Sequence, residues 1–284
     1  MDATWPRTMW RTLEPVHALT YFAPSSVDAL KAVGLRGYWM TYFAARSAPI
    51  GAASAPVVEA TFYNFAPWLV RRAIPDAWSF ASPAAVLDAR WEGVATAIAP
   101  HAASLPPSSL AAARLLLHRA VEDLCCDGRT LAAANASLAL PDDPNAAAWQ
   151  LITTLREFRG DGHVAALVCA NLSGIEAHVT LVGAGAITRE VLQGARGFTD
   201  EEWAAAERSL VDRGLINDEG VLTDAGRSLR RDVEATTDRA AAAPWARLGD
   251  AGCEELGALL GPLATSVAAA GVIPRLNPIG LPTD

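Results

Sequence analysis

Residues 149–172 read WQLITTLREFRGDGHVAALVCANL. Helical spacing runs up to Phe158, and then Arg159-Gly160-Asp161-Gly162-His163 sets two glycines into five positions. Glycine is a poor helix former, so this stretch predicts a break, with a strongly apolar helix restarting beyond it. Asp161 is well typed as the N-cap of that second helix, and His163 falls in its first turn. There the positive end of the helix dipole disfavours imidazolium and favours a neutral ring at pH 7. Arg156 and Arg159 sit on the other side of the break, so an anion-binding position beside a neutral base is one reading. The other is a helical corner in which Asp161 caps, the glycines turn, and His163 satisfies a backbone group.

At 284 residues the chain can bury a large core in one or two domains. Hydrophobic residues make up 51%, many of them alanine, which raises helix propensity throughout. A formal net charge of −8 argues against attachment to nucleic acid or an anionic membrane through bulk electrostatics. Cys125, Cys126, Cys169 and Cys253 form no C-x-x-C pair, so reduced, mostly buried thiols are expected. The N-terminal MDATWPRTMWRTLEP has no apolar core of signal-peptide length, and no apolar run reaches membrane-spanning length. A cytoplasmic protein with no membrane partner is the expectation.

Upstream, His17, Tyr21 and Phe22 share a helical face whose default reading is core packing. Tyr38-Trp39-Met40-Thr41-Tyr42-Phe43-Ala44-Ala45-Arg46 is the most aromatic nonapeptide in the chain. On a helix, Tyr38 and Tyr42 share one face, while Trp39, Phe43 and Arg46 share the next. Two stripes that wide belong to a helix surrounded by protein or bordering a cavity, and its hydroxyls and guanidinium need partners. Residues 54–65, SAPVVEATFYNF, predict a helix with Ser54 as N-cap and Pro56 in the first turn. Asn64 is either its C-cap or an amide facing a cavity. The proline-rich 100–109 stretch reads as a linker.

From Ile187 the sequence changes character: ITREVLQGARGFTDEEWAAAERSLVDRGLINDEGVLTDAGRSLRRDVEATTD. This segment, about 187–239, resembles the winged helix of MarR-type regulators. Ile187–Ala195 corresponds to the helix before the turn, Phe198–Gly214 to the recognition helix with Thr199 as N-cap, and Leu215–Leu222 to a short hairpin wing. Leu222-Thr223-Asp224-Ala225-Gly226-Arg227 corresponds to the strand-to-helix signature beyond it. More loosely, GYWMTYFAARSAPIG (37–51), ATFYNFAP (60–67) and REFRGDGHVAAL (156–167) make the whole chain similar to an actinobacterial helix-turn-helix family that carries no activity over to it. The expected fold is mainly α: a helical N-terminal unit (1–105), central helices with the RGDGH corner (106–186), and a C-terminal winged-helix-like unit with a small β-hairpin wing (187–284). Long helices pair protomers in regulators of this type, so Leu256, Leu259, Leu260 and Leu263 leave a homodimer open.

The resemblance implies DNA binding, but the charges oppose it. Between Thr199 and Ile216, Asp200, Glu201, Glu202, Glu207 and Asp212 face only Arg208 and Arg213, and the wing adds Asp218 and Glu219. Carboxylates at a phosphate backbone are repulsive, so nucleic acid is disfavoured as a partner. No Gly-rich phosphate loop, G-x-S-x-G elbow, H-E-x-x-H or paired His/Cys spacing occurs, and neither a cofactor nor a metal is expected. What remains is a small-molecule-binding protein on a winged-helix-derived scaffold. In that reading Tyr38, Arg46, Tyr63, Asn64, Arg156, Arg159 and His17 bind an aromatic or anionic ligand. The alternative is a cofactor-independent lyase, cyclase or isomerase of specialised metabolism, with His163 as general base oriented by Asp161 and Tyr42 as acid. A MarR-like DNA-binding regulator is the third reading.

Overall fold

The computed structural model describes residues 2–281. Fifteen α-helices account for the described chain. The N-terminal run is α1 (Trp5–Phe22), α2 (Pro24–Ala32), α3 (Gly37–Ser47), α4 (Ala55–Phe62), α5 (Pro67–Arg71), α6 (Ala77–Phe80) and α7 (Pro83–Ala102). Then come α8 (Ser109–Val121), α9 (Thr130–Ala136), α10 (Pro144–Cys169), α11 (Gly174–Gly183), α12 (Arg189–Arg196) and α13 (Asp200–Asp212). The last two are α14 (Asp224–Ala240) and α15 (Ala243–Ala269), the latter bent at Gly249.

The residue following each start signal explains most of these boundaries. Asp143 accepts from the backbone N–H of Asn145 and Ala146, at 2.8 and 2.9 Å, with Pro144 in the first turn of α10. Ser173 and Thr199 each form a reciprocal capping box, with Glu176 and Glu202. Pro15 lies inside α1 without ending it.

Helix α10 is the pivot. Its first half, with Trp149, Ile152 and Leu155, is buried against α1, α7 and α8. Leu256, Leu260 and Leu263 of α15 are part of this same core. The second half of α10 supplies Ala166 and Leu167 to another core, shared with Leu192, Trp203, Leu210 and Val233. A third cluster, built on Phe43, Val58, Phe62 and Leu69, belongs to the N-terminal helices. No single described helix is long and apolar enough to cross a membrane.

Two expectations fail here. The break at 159–163 does not exist: α10 runs unbroken through Arg159-Gly160-Asp161-Gly162-His163. Gly162 serves close packing rather than a turn, since a Cβ there would meet Arg129 Nη1 at 2.8 Å and the Ala240 methyl at 3.1 Å. Asp161 therefore caps a different helix, accepting from Ala132 N–H at 2.9 Å in the first turn of α9.

The second failure is the β-hairpin wing, which is absent: the described residues hold no strand, only one isolated antiparallel bridge between Ile216 and Leu222. Two cross-loop bonds form, Asn217 N–H to the Val221 carbonyl at 2.9 Å and Thr223 N–H to the Leu215 carbonyl at 3.1 Å, but the reciprocal bonds do not. The Asn217 side chain accepts from the backbone of Glu219 and Val221, and Leu222 N–H donates to Gly183 of α11. The helix-turn-helix before it does form: α12 ends at Gly197 in the left-handed region, Thr199 caps α13, and α13 packs on α11. Gly226 at the start of α14 lets that helix close on the loop, because a Cβ would meet Leu215 O at 2.0 Å.

A continuous α10 separates the two glycines experimentally. At Gly160 an added Cβ finds only ordinary contacts, at 3.4 Å or more. Gly160→Ala should raise stability by about 0.5–1 kcal/mol through helix propensity. Gly162→Ala should lower it by about 1–3 kcal/mol through overpacking. Urea unfolding of the two variants checks this, and a loss in both would restore the turn.

Candidate functional site

Helices α1, α10, α11, α12 and α14 converge with Asn64 and the C-terminal segment 278–280 around one cavity of about 320 Å³. That volume lies at the lower end of the range for small-molecule sites. Continuity of α10 is what aims Arg156, Arg159 and His163 at it together, since residues three, four and seven apart share a helical face. Helix α1 adds Trp10 and Glu14, α11 adds His178 and Leu181, α12 adds Leu192 and Arg196, and α14 adds Glu234. Asn64 reaches the cavity because α11 starts with Gly174: a Cβ there would meet Tyr63 O at 2.2 Å.

The α10 side of the cavity is ionically balanced. Arg156 donates to Glu157 at 2.8 Å and lies 3.5 Å from Glu14, while Arg46 reaches Glu157 at 3.2 Å. Burial works to raise the Glu157 pKa, but Arg156 and Arg46 outweigh it and hold the carboxyl at about 2. Burial pushes Glu14 upward, with Arg156 opposing. Arg159 donates to Asp238 at 3.0 Å, and both Asp238 and Glu234 also pair with Arg7.

Arg196 is different. It is 8% exposed and lies over the Phe65 ring at 4.6 Å, and it donates to the Pro278 carbonyl at 2.6 Å. Among the described residues no carboxylate pairs with it, and burial lowers its pKa. Several buried polar atoms on cavity residues also lack a hydrogen-bond partner within the protein: Glu14 Oε2, Asn64 Oδ1, Arg159 Nε, His178 Nδ1 and Arg196 Nε. Orphaned buried polar groups are rare and cost about 1–3 kcal/mol each. Five of them belong to residues that line this one cavity.

Two histidines stand across this space. His163 Nδ1 lies 2.9 Å from Thr237 Oγ1, and His178 Nε2 lies 3.0 Å from the Asn64 carbonyl. Burial lowers the His163 pKa to about 4, against the opposing pull of Glu234. Burial, then Arg196, lowers that of His178 to about 3. The expected neutral His163 ring is therefore produced by burial and not by a helix N-terminus.

The family model of a helix-turn-helix family matches residues 6–274. The chain belongs to that family. No curated protein and no solved structure matches the chain. The helix-turn-helix of this family member is not remote from the cavity: Arg196 is the last residue of α12, and its own carbonyl accepts from Ala66 N–H at 2.9 Å. Its turn is clamped by Trp68, whose indole donates to Gly197 O at 2.5 Å.

Of the residues singled out from the sequence, Asn64, Arg156, Arg159 and His163 line the cavity. The others lie elsewhere. His17 is buried between Thr153 and Tyr21, at 3.2 and 2.9 Å, and stacks on Trp149. Tyr38 and Tyr42 border a separate crevice of about 10 Å³ with Thr20 and Tyr21. Arg46 donates to Tyr42 and Glu157, Tyr63 donates to the Leu172 carbonyl, and Asp161 serves α9. The thiols also depart from expectation, since Cys125 and Cys169 are exposed and only Cys253 is buried. No cluster of three or more His, Cys, Asp or Glu suited to a metal occurs among the described residues. Glu14, His178, Arg196 and Glu234 were not anticipated. The signal for two of them was an ionisable group within a largely apolar helix, TLEPVHAL for Glu14 and EAHVTLV for His178.

Neutral buried histidines give a signed pH dependence. An unfolded histidine titrates near 6.5, so stability conferred by a depressed folded pKa is present above that value. It is lost as pH falls towards 4. Between pH 7 and pH 5, His163→Gln should lose about 2 kcal/mol less unfolding free energy than the wild type. Urea titrations at the two pH values measure it, and parallel losses would show that His163 is charged or exposed in the folded protein.

Proposed function

We propose that the protein binds an anionic small molecule in this cavity, on a helix-turn-helix scaffold of MarR type, and acts in the cytoplasm as a carrier, sensor or sequestering protein. The observation that carries this reading is Arg196, a buried cation with a backbone carbonyl as its hydrogen-bond acceptor and no acid beside it. A buried charge left unpaired is expensive unless something compensates it. An acid group on a ligand is the natural counter-charge, and Arg159 Nε adds a second free donor at the same wall. Trp10, Leu181, Ile187, Leu192 and Ile279 supply an apolar remainder suited to a ring. His163 in the same lining keeps acid–base chemistry as a second role for the site, and its replacement distinguishes the two by abolishing turnover or merely weakening binding.

Membership of a helix-turn-helix family favours the DNA reading. The exposed face of α13 speaks against it: Asp200, Glu201, Glu202 and Asp212 stand on its surface with Arg208. Binding to duplex DNA that strengthens as salt is lowered would reinstate that reading.

The test is Arg196→Met. A group kept for function rather than stability should leave the fold at least as stable when replaced by an apolar chain, as observed for other buried charges. The variant should match or exceed wild-type unfolding free energy in urea. It should also lose the rise in melting temperature that phenylacetate or a related aryl carboxylate gives the wild type. A variant that is less stable and still responds to the carboxylate would make Arg196 a structural residue.

A further inference from the structure

We infer that the ligand's acid group carries a hydroxyl or amine close beside it, and that His178 Nδ1 receives that donor, while His163 Nε2 takes a further N–H or O–H. This deepens the anion-binding reading and rests on it. The starting point is the hydrogen-bonding sense of each ring. His178 Nε2 faces the Asn64 carbonyl at 3.0 Å. A carbonyl only accepts, so Nε2 must carry the proton, and a neutral ring then has a bare lone pair on Nδ1. That nitrogen is buried without a partner in the protein, in a side chain only 4% exposed. His163 shows the mirror arrangement. The Thr237 hydroxyl spends its one proton on the Val233 carbonyl at 2.8 Å, so its lone pair must accept from His163 Nδ1 at 2.9 Å. His163 Nε2 is thereby the unprotonated nitrogen, on a side chain that lines the cavity.

Two acceptor nitrogens on rings that line one cavity cannot satisfy each other, and neither can bond a carboxylate oxygen. They call for N–H or O–H groups. The donor and the acid belong close together because one short segment holds both side chains: His178 bonds the Asn64 carbonyl at 3.0 Å, and Arg196 lies over the ring of the next residue, Phe65, at 4.6 Å. Burial keeps both rings neutral at pH 7, so the acceptors persist under ordinary conditions. A site of this kind discriminates strongly against an analogue lacking the donor, because the buried nitrogen is then left unpaired. The class that fits is a 2-hydroxy or 2-amino acid with an apolar, ring-bearing remainder.

Three probes separate the parts: each enantiomer of mandelate, phenylacetate, which lacks the hydroxyl, and 1-phenylethane-1,2-diol, which lacks the charge. By titration calorimetry on the full chain, one mandelate enantiomer should bind at least tenfold more tightly than either of the others. His178→Leu should remove the preference over phenylacetate while leaving phenylacetate binding in place. Equal binding of mandelate and phenylacetate would overturn the donor requirement and leave the anion reading standing. Equal binding of mandelate and the diol would overturn the anion reading itself, and no binding of any probe would count against both. Because His178→Leu risks the fold, nitrogen-15 NMR of the unliganded wild type gives a second readout. It should show His178 protonated on Nε2 and His163 on Nδ1 at pH 7, and the reverse assignment for His178 would overturn the inference.

Discussion

A chain of buried opposite charges along one side of α10 holds the molecule in register. Glu14 of α1 faces Arg156, Arg156 bonds Glu157, and Glu157 also takes Arg46 of α3. One turn later Arg159 bonds Asp238 of α14, where Arg7 of α1 joins it. Four helices are thereby locked to one another by groups that cannot be separated cheaply. Removing one member of such a set strands a charge in low dielectric and is far more damaging than replacing the whole set by apolar residues. The register also explains why α10 cannot break at its glycines: a turn after Phe158 would swing Arg159 and His163 away from α14, where Thr237 and Asp238 wait.

The cavity follows from this frame. One end of α10 is sealed by aromatic and leucine packing around Trp149, and the other by the helix-turn-helix core around Trp203. Between the two cores the facing side chains are charged or polar, and long side chains committed to ion pairs do not fill space as leucines do. Alanine, the commonest residue on these helices, brings backbones close without filling the gap at the junction.

The sequence identified this as a mainly α chain, and the resemblance over 187–239, with Thr199 as N-cap, placed the helix-turn-helix, since a cap is a local signal that tertiary contacts did not override. It also associated Arg156, Arg159 and His163, though through a corner that does not exist. The misreading has a definite cause. Glycine looks the same in sequence whether it is needed for a turn or, as at Gly162, for the close approach of Arg129 from another part of the chain. The wing failed for a similar reason: the Asn217 side chain takes the Val221 N–H and the Leu210 carbonyl of α13 takes the Leu215 N–H, so only half of the expected ladder forms. Tyrosines 38 and 42 were associated by helical spacing with an interior surface. Their neighbours turned out to be other aromatics of the N-terminal helices, the Tyr42 ring lying 5.8 Å from Trp39 and 5.5 Å from Phe65 between centroids. Arg196 drew no reading of its own from the sequence. Nothing local distinguishes an arginine that will be buried facing a cavity from one that will be solvated.

The walls of the cavity are drawn from Trp10 near one end of the described chain to Gly280 near the other, with contributions from five helices between. Pro278 and Ile279 close it from the C-terminal segment, and Asn277 pins that segment by bonding Pro274 and Leu281. No autonomous piece of the protein contains the site, so it comes into being only when contacts spanning almost the whole chain have formed. Occupancy is therefore linked to global unfolding and not to a local opening. Any molecule held there would act on the folded–unfolded balance of the entire protein by mass action, so the amount of folded chain would rise with the concentration of such a molecule.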